Sequence, residues 1–118
     1  MEESNRPWGY YKVLDDDTVN HKVKKIVVFP GCRLSLQRHK HRSEHWYIIQ
    51  GKAIIKKDCD ELHLNSGTNV DIPRGCWHRI ENFYEEHLIL IEIQQGDYCA
   101  EDDIERLEDD YGRTLSPG

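Results

Sequence analysis

Apolar and polar positions along this chain alternate with a period of two, in short runs broken by Gly and Pro, and helical periodicity is hard to find. Lys22 to Phe29 (KVKKIVVF) is rich in β-branched residues and stops at Pro30-Gly31, a pair that ends a strand in a turn. Arg33 to His41 alternates, which sets Ser35, Gln37, His39 and His41 on one face and Leu34, Leu36, Arg38 and Lys40 on the other. His45 to Gln50 and Lys52 to Lys56, parted by Gly51, predict a tight hairpin, and KDCDELHLNSG reads as a charged connection and turn. Asn69 to Ile72 is a short strand cut off by Pro73-Arg74-Gly75, Trp77 to Ile80 begins another, and Leu88 to Ile93 is an apolar strand covered on both faces. Glu101-Asp102-Asp103 ahead of Ile104 and Leu107 predicts one short C-terminal helical turn with acids at its start. About eight short strands and no other helix point to an all-β sandwich or small barrel, a jelly roll foremost.

A chain of 118 residues holds one domain. Its core is expected over residues 22–96, with an N-terminal arm (1–21) and a C-terminal extension (97–118) that ends in a loose tail from Leu115. Acids outnumber bases by 22 to 16, which argues against nucleic acid or an anionic membrane as partner. No uncharged run approaches the ~20 residues of a membrane span, and MEESNRPWG lacks a basic region followed by an apolar one, so a soluble cytoplasmic protein is expected. The four cysteines form no C-x-x-C pair and read as free structural thiols. Seven histidines are the unusual count, because His39, His41 and His45 fall close together.

Two spacings carry the chemistry: Gly31-x5-Gln37-x-His39-x4-Glu44-x6-Gly51 and Gly67-x5-Pro73-x-Gly75-x2-His78-x3-Asn82. They resemble the two signature motifs of the cupin superfamily, with Gln37 standing where most cupins have their first histidine. That resemblance implies a double-stranded β-helix. Gln37 and His39 would point the same way on one strand, Glu44 would return after a turn, and His78 would join them from a distant strand. Such a set of nitrogen and oxygen ligands suits one divalent ion, Zn2+ foremost, with Mn2+, Co2+, Fe2+ or Ni2+ also fitting. The bland alternative is a solvated edge strand with accidental histidine spacing; the second motif, which supplies a ligand independently, weighs against it.

The run LSLQRHKHRSEHW (Leu34 to Trp46) resembles more closely the signature of type II mannose-6-phosphate isomerases, otherwise seen as the C-terminal domain of bifunctional enzymes with a mannose-1-phosphate guanylyltransferase. RPWGYY, KVKKIVVFPG, IPRGCWHRIEN and IEIQQGDYCAEDDIERLEDDYGR are similar to the same family, so the resemblance covers nearly the whole chain. His21 and Cys99 depart from it, where the family usually has Tyr and an aliphatic residue. No Gly-rich nucleotidyltransferase segment is present, so only the isomerase half is expected.

The resemblance implies interconversion of mannose 6-phosphate and fructose 6-phosphate through a cis-enediol, with the metal held by Gln37, His39, Glu44 and His78. His41 is the first choice of base, since it shares a face with Gln37 and His39; His45 is the reserve, although its place beside Glu44 turns it to the opposite face. Arg42 and Arg79 are the first choices for the phosphate and Lys24 a weaker one, with Arg79 also counted among the catalytic candidates. Glu92 would line the cavity with Gln94, or pair with an arginine. Trp46, Trp77 and Tyr47 read as packing. The expected partner is a small sugar phosphate, with no nucleic acid and no membrane. A C2 homodimer would cover RPWGYY and the outer face of Leu34 and Leu36. The competing readings are a non-catalytic module that binds a sugar or nucleotide sugar, and another metal-dependent cupin enzyme such as a dioxygenase or epimerase.

Overall fold

A computed structural model describes residues 3–17 and 20–110. Its elements are β1 (Glu3–Arg6), β2 (Gly9–Asp17), β3 (His21–Val28), β4 (Cys32–Arg33), β5 (Leu36–Arg38), β6 (Arg42–Gln50), β7 (Lys52–Lys57), β8 (Asp60–Asn65), β9 (Asn69–Ile72), β10 (His78–Asn82), β11 (Leu88–Gly96) and β12 (Glu105–Glu108). Two antiparallel sheets result, ordered β1-β2-β3-β11-β6-β9 and β12-β5-β10-β7-β8, with β4 added to β10. The fold is an all-β jelly roll, as the strand pattern predicts. Among the described residues there is no helix, and so none long and apolar enough to cross a membrane.

The inner face of the larger sheet shows how alternation builds both a core and a site. On β11 the inward residues are Leu88, Leu90, Glu92 and Gln94, all buried. Their partners on β3 are Val28, Ile26, Lys24 and Lys22, and those on β6, for Leu90 to Gly96, are Ile48, Trp46, Glu44 and Arg42. One end of the barrel is therefore apolar and the other is lined with buried charges. The apolar core is closed from the second sheet by Ala53, Ile55 and Ile80, and Trp8, just before β2, with Tyr11 and Val13 on it, extends the core toward the charged end, where Val13 is paired with Lys24. Trp8 and Tyr11 are buried within the chain, and Leu34 is partly buried against the same core.

Gly51 makes the β6–β7 turn at φ 88°, and a Cβ there would lie 2.9 Å from the carbonyl oxygen of His87. The predicted hairpin follows from that backbone. Three expectations need correction. The C-terminal helical turn is absent: residues 101–102 form a turn, and the chain then enters β12 against β5. Its acids serve distant partners instead of capping a helix, since the Asp103 carboxylate accepts the backbone N–H groups of Lys40 and His41 at 3.0 and 2.8 Å. The charged connection after Lys57 contains a full strand, β8, paired with β7 through six register positions. Leu62 and Leu64 packing on the core hold it there. The strand expected from Arg33 to His41 is two short ones, and β5 ends at Arg38. The tail from Leu115 lies outside the described residues.

Candidate metal centre

His39, Glu44 and His78 converge at the charged end, all buried, with one ligand atom from each lying within 4.8 Å of the others. Glu44 comes from the inward face of β6, His78 from the start of β10, and His39 from the chain just beyond β5. Glu44 Oε2 is 3.2 Å from His39 Nε2, and Glu44 Oε1 is 3.7 Å from His78 Nε2. Each imidazole uses its other nitrogen elsewhere. His39 Nδ1 lies 2.5 Å from the carbonyl oxygen of Asp103, and His78 Nδ1 lies 3.0 Å from that of Cys76. A carbonyl only accepts, so Nδ1 carries the proton in both rings and the two Nε2 lone pairs face the carboxylate. Burial, with the neighbouring Arg42 guanidinium, pushes His39 down to about 3, so this ring is neutral at ordinary pH.

Two nitrogen lone pairs and a carboxylate turned toward one another call for a cation between them. The donor set fits a divalent ion. Arg42 already answers part of that demand: its Nε and Nη2 are each 3.0 Å from Glu44 Oε2, and Nη2 is 3.3 Å from His39 Nε2. Burial alone would raise the Glu44 carboxyl, but Arg42, the hydrogen bonding shared with Glu92, and His78 hold it below the usual carboxylate range. Glu92 moves the other way, because burial and the nearby Glu44 charge raise it. Trp46 Nε1–H bridges the two carboxylates at 3.1 and 3.2 Å, and Gln94 donates to Glu92 at 3.0 Å. The Oε1 of Gln94 is buried without a donor.

Beside the cluster lies a cavity of about 100 Å³. Arg42, Glu92 and Gln37 line it on the metal side, and Lys24, Arg6 and Arg106 contribute further positive charge. Gln37 sits opposite His78 across the β5–β10 pair, with its amide nitrogen 3.0 Å from the Ser35 hydroxyl. Lys24, Arg42 and Glu92 therefore stand together at the cavity next to the ligand cluster.

Three other candidates stand elsewhere. His41 does not share the inward face: β5 stops at Arg38, Asp103 bends the chain at residues 40 and 41, and the imidazole is 52% exposed, 3.5 Å from Asp97. His45 is on the outer face of β6, paired with Asp71, as alternation with Glu44 requires. Arg79 follows an inward His78 and so faces outward, where it is buried under β12 and donates to the Leu34 carbonyl at 2.8 Å and to Glu108 at 3.1 Å. Glu101 and Asp103 were missed as site residues. Their acidic run was visible, but its partners are some sixty to eighty positions away in the chain.

Residues 1–109 match the family model described as mannose-6-phosphate isomerase C-terminal. The chain belongs to that family. It is 46% identical over 115 residues to the alginate biosynthesis protein AlgA of Pseudomonas aeruginosa, covering 98% of this chain and 24% of that protein. To the mannose-1-phosphate guanylyltransferase of Escherichia coli it is 42% identical over 112 residues, covering 95% of this chain and 23% of the other. The chain thus spans about a quarter of the length of these relatives. Among solved structures, the capsular polysaccharide assembling protein CapF of Staphylococcus aureus matches with a TM-score of 0.79 at 20% identity, covering 91% of this chain and 34% of CapF. The cupin domain of Schizosaccharomyces pombe Cnp3 gives 0.72 at 18% identity, covering 75% and 64%. These two likenesses concern the fold.

Proposed function

We propose that this domain is a metal-dependent aldose–ketose isomerase that interconverts mannose 6-phosphate and fructose 6-phosphate. The observation that carries the reading is the juxtaposition of the His39–Glu44–His78 cluster with a cavity lined by buried cations and the Glu92 carboxylate. His39, Glu44 and His78 would hold the ion, with Gln37 beside them, and Zn2+ is the first choice for two imidazoles and a carboxylate. When bound, the ion supplies Lewis-acid stabilisation of the negative charge that builds on the sugar oxygens.

The remaining work falls to the chain's own residues. The reaction takes a proton from C2 and returns one to C1, while the O1 and O2 protons redistribute, so the sum of atoms is unchanged. Glu92 is buried in the cavity wall, held by Trp46 and Gln94, and its side chain is the one we assign to carry that proton. Arg42 and Lys24 orient the anionic end of the substrate. Trp8 and Tyr11 close one side of the cavity and limit water. The mannose-1-phosphate guanylyltransferase name belongs to a protein about four times as long as the matched region, and that activity forms no part of this proposal.

A coupled assay for fructose 6-phosphate, run on purified protein before and after chelation and after adding back single divalent metals, tests the reading. Turnover that disappears with chelator and returns with one metal is expected. Glu92→Gln should abolish it with metal retained, whereas His41→Ala, altered at an outward-facing position, should keep it. Folded protein with no turnover in any metal would overturn the isomerase in favour of a metabolite-binding module.

A further inference from the structure

Three buried ammonium and guanidinium groups, two of which (Lys24 and Arg42) line the cavity, share one partner. Lys22 and Lys24 project inward from β3, with side chains 7% and 5% exposed, and Arg42 projects from β6 at 5%. The Glu101 carboxylate lies among them: Oε1 is 2.7 Å from Lys24 Nζ, and Oε2 is 3.3 Å from Lys22 Nζ and 4.0 Å from Arg42 Nη1. We propose that this cradle of Lys22, Lys24 and Arg42 binds the phosphate group of a sugar phosphate, and that Glu101 occupies it as an internal stand-in which the phosphate displaces. The ligand class rests on the isomerase reading above.

The geometry favours a phosphate over the carboxylate now there. Two carboxylate oxygens serve three cations, so one contact is good and two are long. A phosphate monoester offers three terminal oxygens and a greater charge, enough for a short contact to each group. The cations stand on neighbours of β11 in the middle of the larger sheet, so their positions are fixed before any ligand arrives. Glu101 is placed differently. Its side chain is 44% exposed and belongs to a turn at residues 101–102, so it has solvent to swing into. That turn is tethered on both sides, by Asp103 on the N–H groups of Lys40 and His41 and by the Asp97 N–H on the His41 carbonyl at 3.2 Å. Motion is therefore confined to the stretch that carries Glu101.

Size makes the displacement necessary. A cavity of about 100 Å³ is well short of the ~300 Å³ at the small end of ligand pockets, and Glu101 is part of its wall. Withdrawal of the carboxylate widens the cavity toward Lys24 Nζ, which it now covers. The Arg42 guanidinium reaches Glu44 at its other edge, so the cradle and the ligand cluster are one group apart. The phosphate and the reacting end of one small sugar phosphate then fit on either side of Arg42.

The test is binding, measured by calorimetry on the whole chain with and without divalent metal, using inorganic phosphate, mannose 6-phosphate and mannose as probes. Wild type should bind the two phosphates and not mannose. Glu101→Gln, which keeps the shape and removes the competing charge, should bind both at least ~3-fold more tightly, and Glu101→Ala should agree. Lys24→Gln should weaken both at least ~10-fold, with Lys24→Arg restoring most of the loss and so excluding misfolding as the cause. Unchanged or weaker phosphate binding in both Glu101 variants would overturn the stand-in, and failure of wild type to bind either phosphate would overturn the cradle. Phosphate binding with these shifts but no turnover would remove the isomerase and leave the subsite. Turnover with phosphate affinities indifferent to Lys24 and Glu101 would do the reverse.

Discussion

The two ends of the barrel interior are built from the same strands and the same faces, yet they hold opposite chemistry. At one end Val28, Leu88 and Ile48 meet in a dry core; at the other, a few positions along β3, β11 and β6, stand Lys22, Gln94, Glu44 and Arg42. Apolar contact is non-directional, so the first end tolerates exchange among residues of similar volume. The second end works only if each buried group finds its partner: Glu44 has Arg42 and Trp46, Glu92 has Trp46 and Gln94, and both histidines have carbonyls. One end supplies stability, and the other spends some of it on a preorganised site.

Substitutions at the two ends should separate these roles. The largest effect is expected from His78→Ala, which removes one of the three proposed ligands: metal content by elemental analysis and the proposed turnover should both vanish, a loss beyond the ~10–100-fold that follows removal of an outer hydrogen-bond partner. Ile48→Ala, at the other end, should lower unfolding free energy by about 2–5 kcal/mol in urea while the folded protein keeps its metal. Loss of metal in that variant under folding conditions would break the division. Trp46→Phe tests the border, since it keeps the ring and deletes the N–H shared by Glu44 and Glu92; denaturation should show a cost of about 1–3 kcal/mol.

The smallest effect belongs to the surface. The hydrogen bond from Arg33 holds the Asp110 carboxyl below its ordinary range. A depressed carboxylate contributes stability that is complete above the unfolded value near ~3.9 and is lost as pH falls through the folded one. Asp110→Asn should therefore be less stable than wild type by about a few tenths of a kcal/mol at pH 7, since exposed pairs are screened, and equal to it near pH 2. A gap that persists in acid would point to packing instead.

How much of this was legible beforehand follows from how local each signal is. The strands at Lys22, Lys52, Asn69 and Leu88 could be read because alternation and Gly/Pro turns are encoded next to one another in the sequence. His39, Glu44 and His78, which the structure brings together, stand out by motif spacing, Arg42 by its place beside the first motif, Lys24 by its charge on the preceding strand and Glu92 by strand parity. His41 was misplaced because period two was extended past Arg38, where a tertiary contact from Asp103 ends β5. Arg79 was misplaced for a related reason: nearness to His78 in sequence means opposite faces in a strand. Glu101 offered only an acidic run, and its role depends on lysines nearly eighty residues earlier.

The position of β11 between β3 and β6 has a consequence for how the molecule comes into being. As the chain is made, β3 and β6 exist long before the strand that pairs with both, and in the finished larger sheet they meet only through it. Until Leu88 to Gly96 arrives, β3 and β6 have no shared neighbour in that sheet. Lys24 waits for Glu92, and His39 waits for a carbonyl made later still, at Asp103. Such distant pairings make for slow folding. Assembly of the candidate cluster therefore waits for strand β11 and for Asp103, so a product truncated before Leu88 should fail to bind metal.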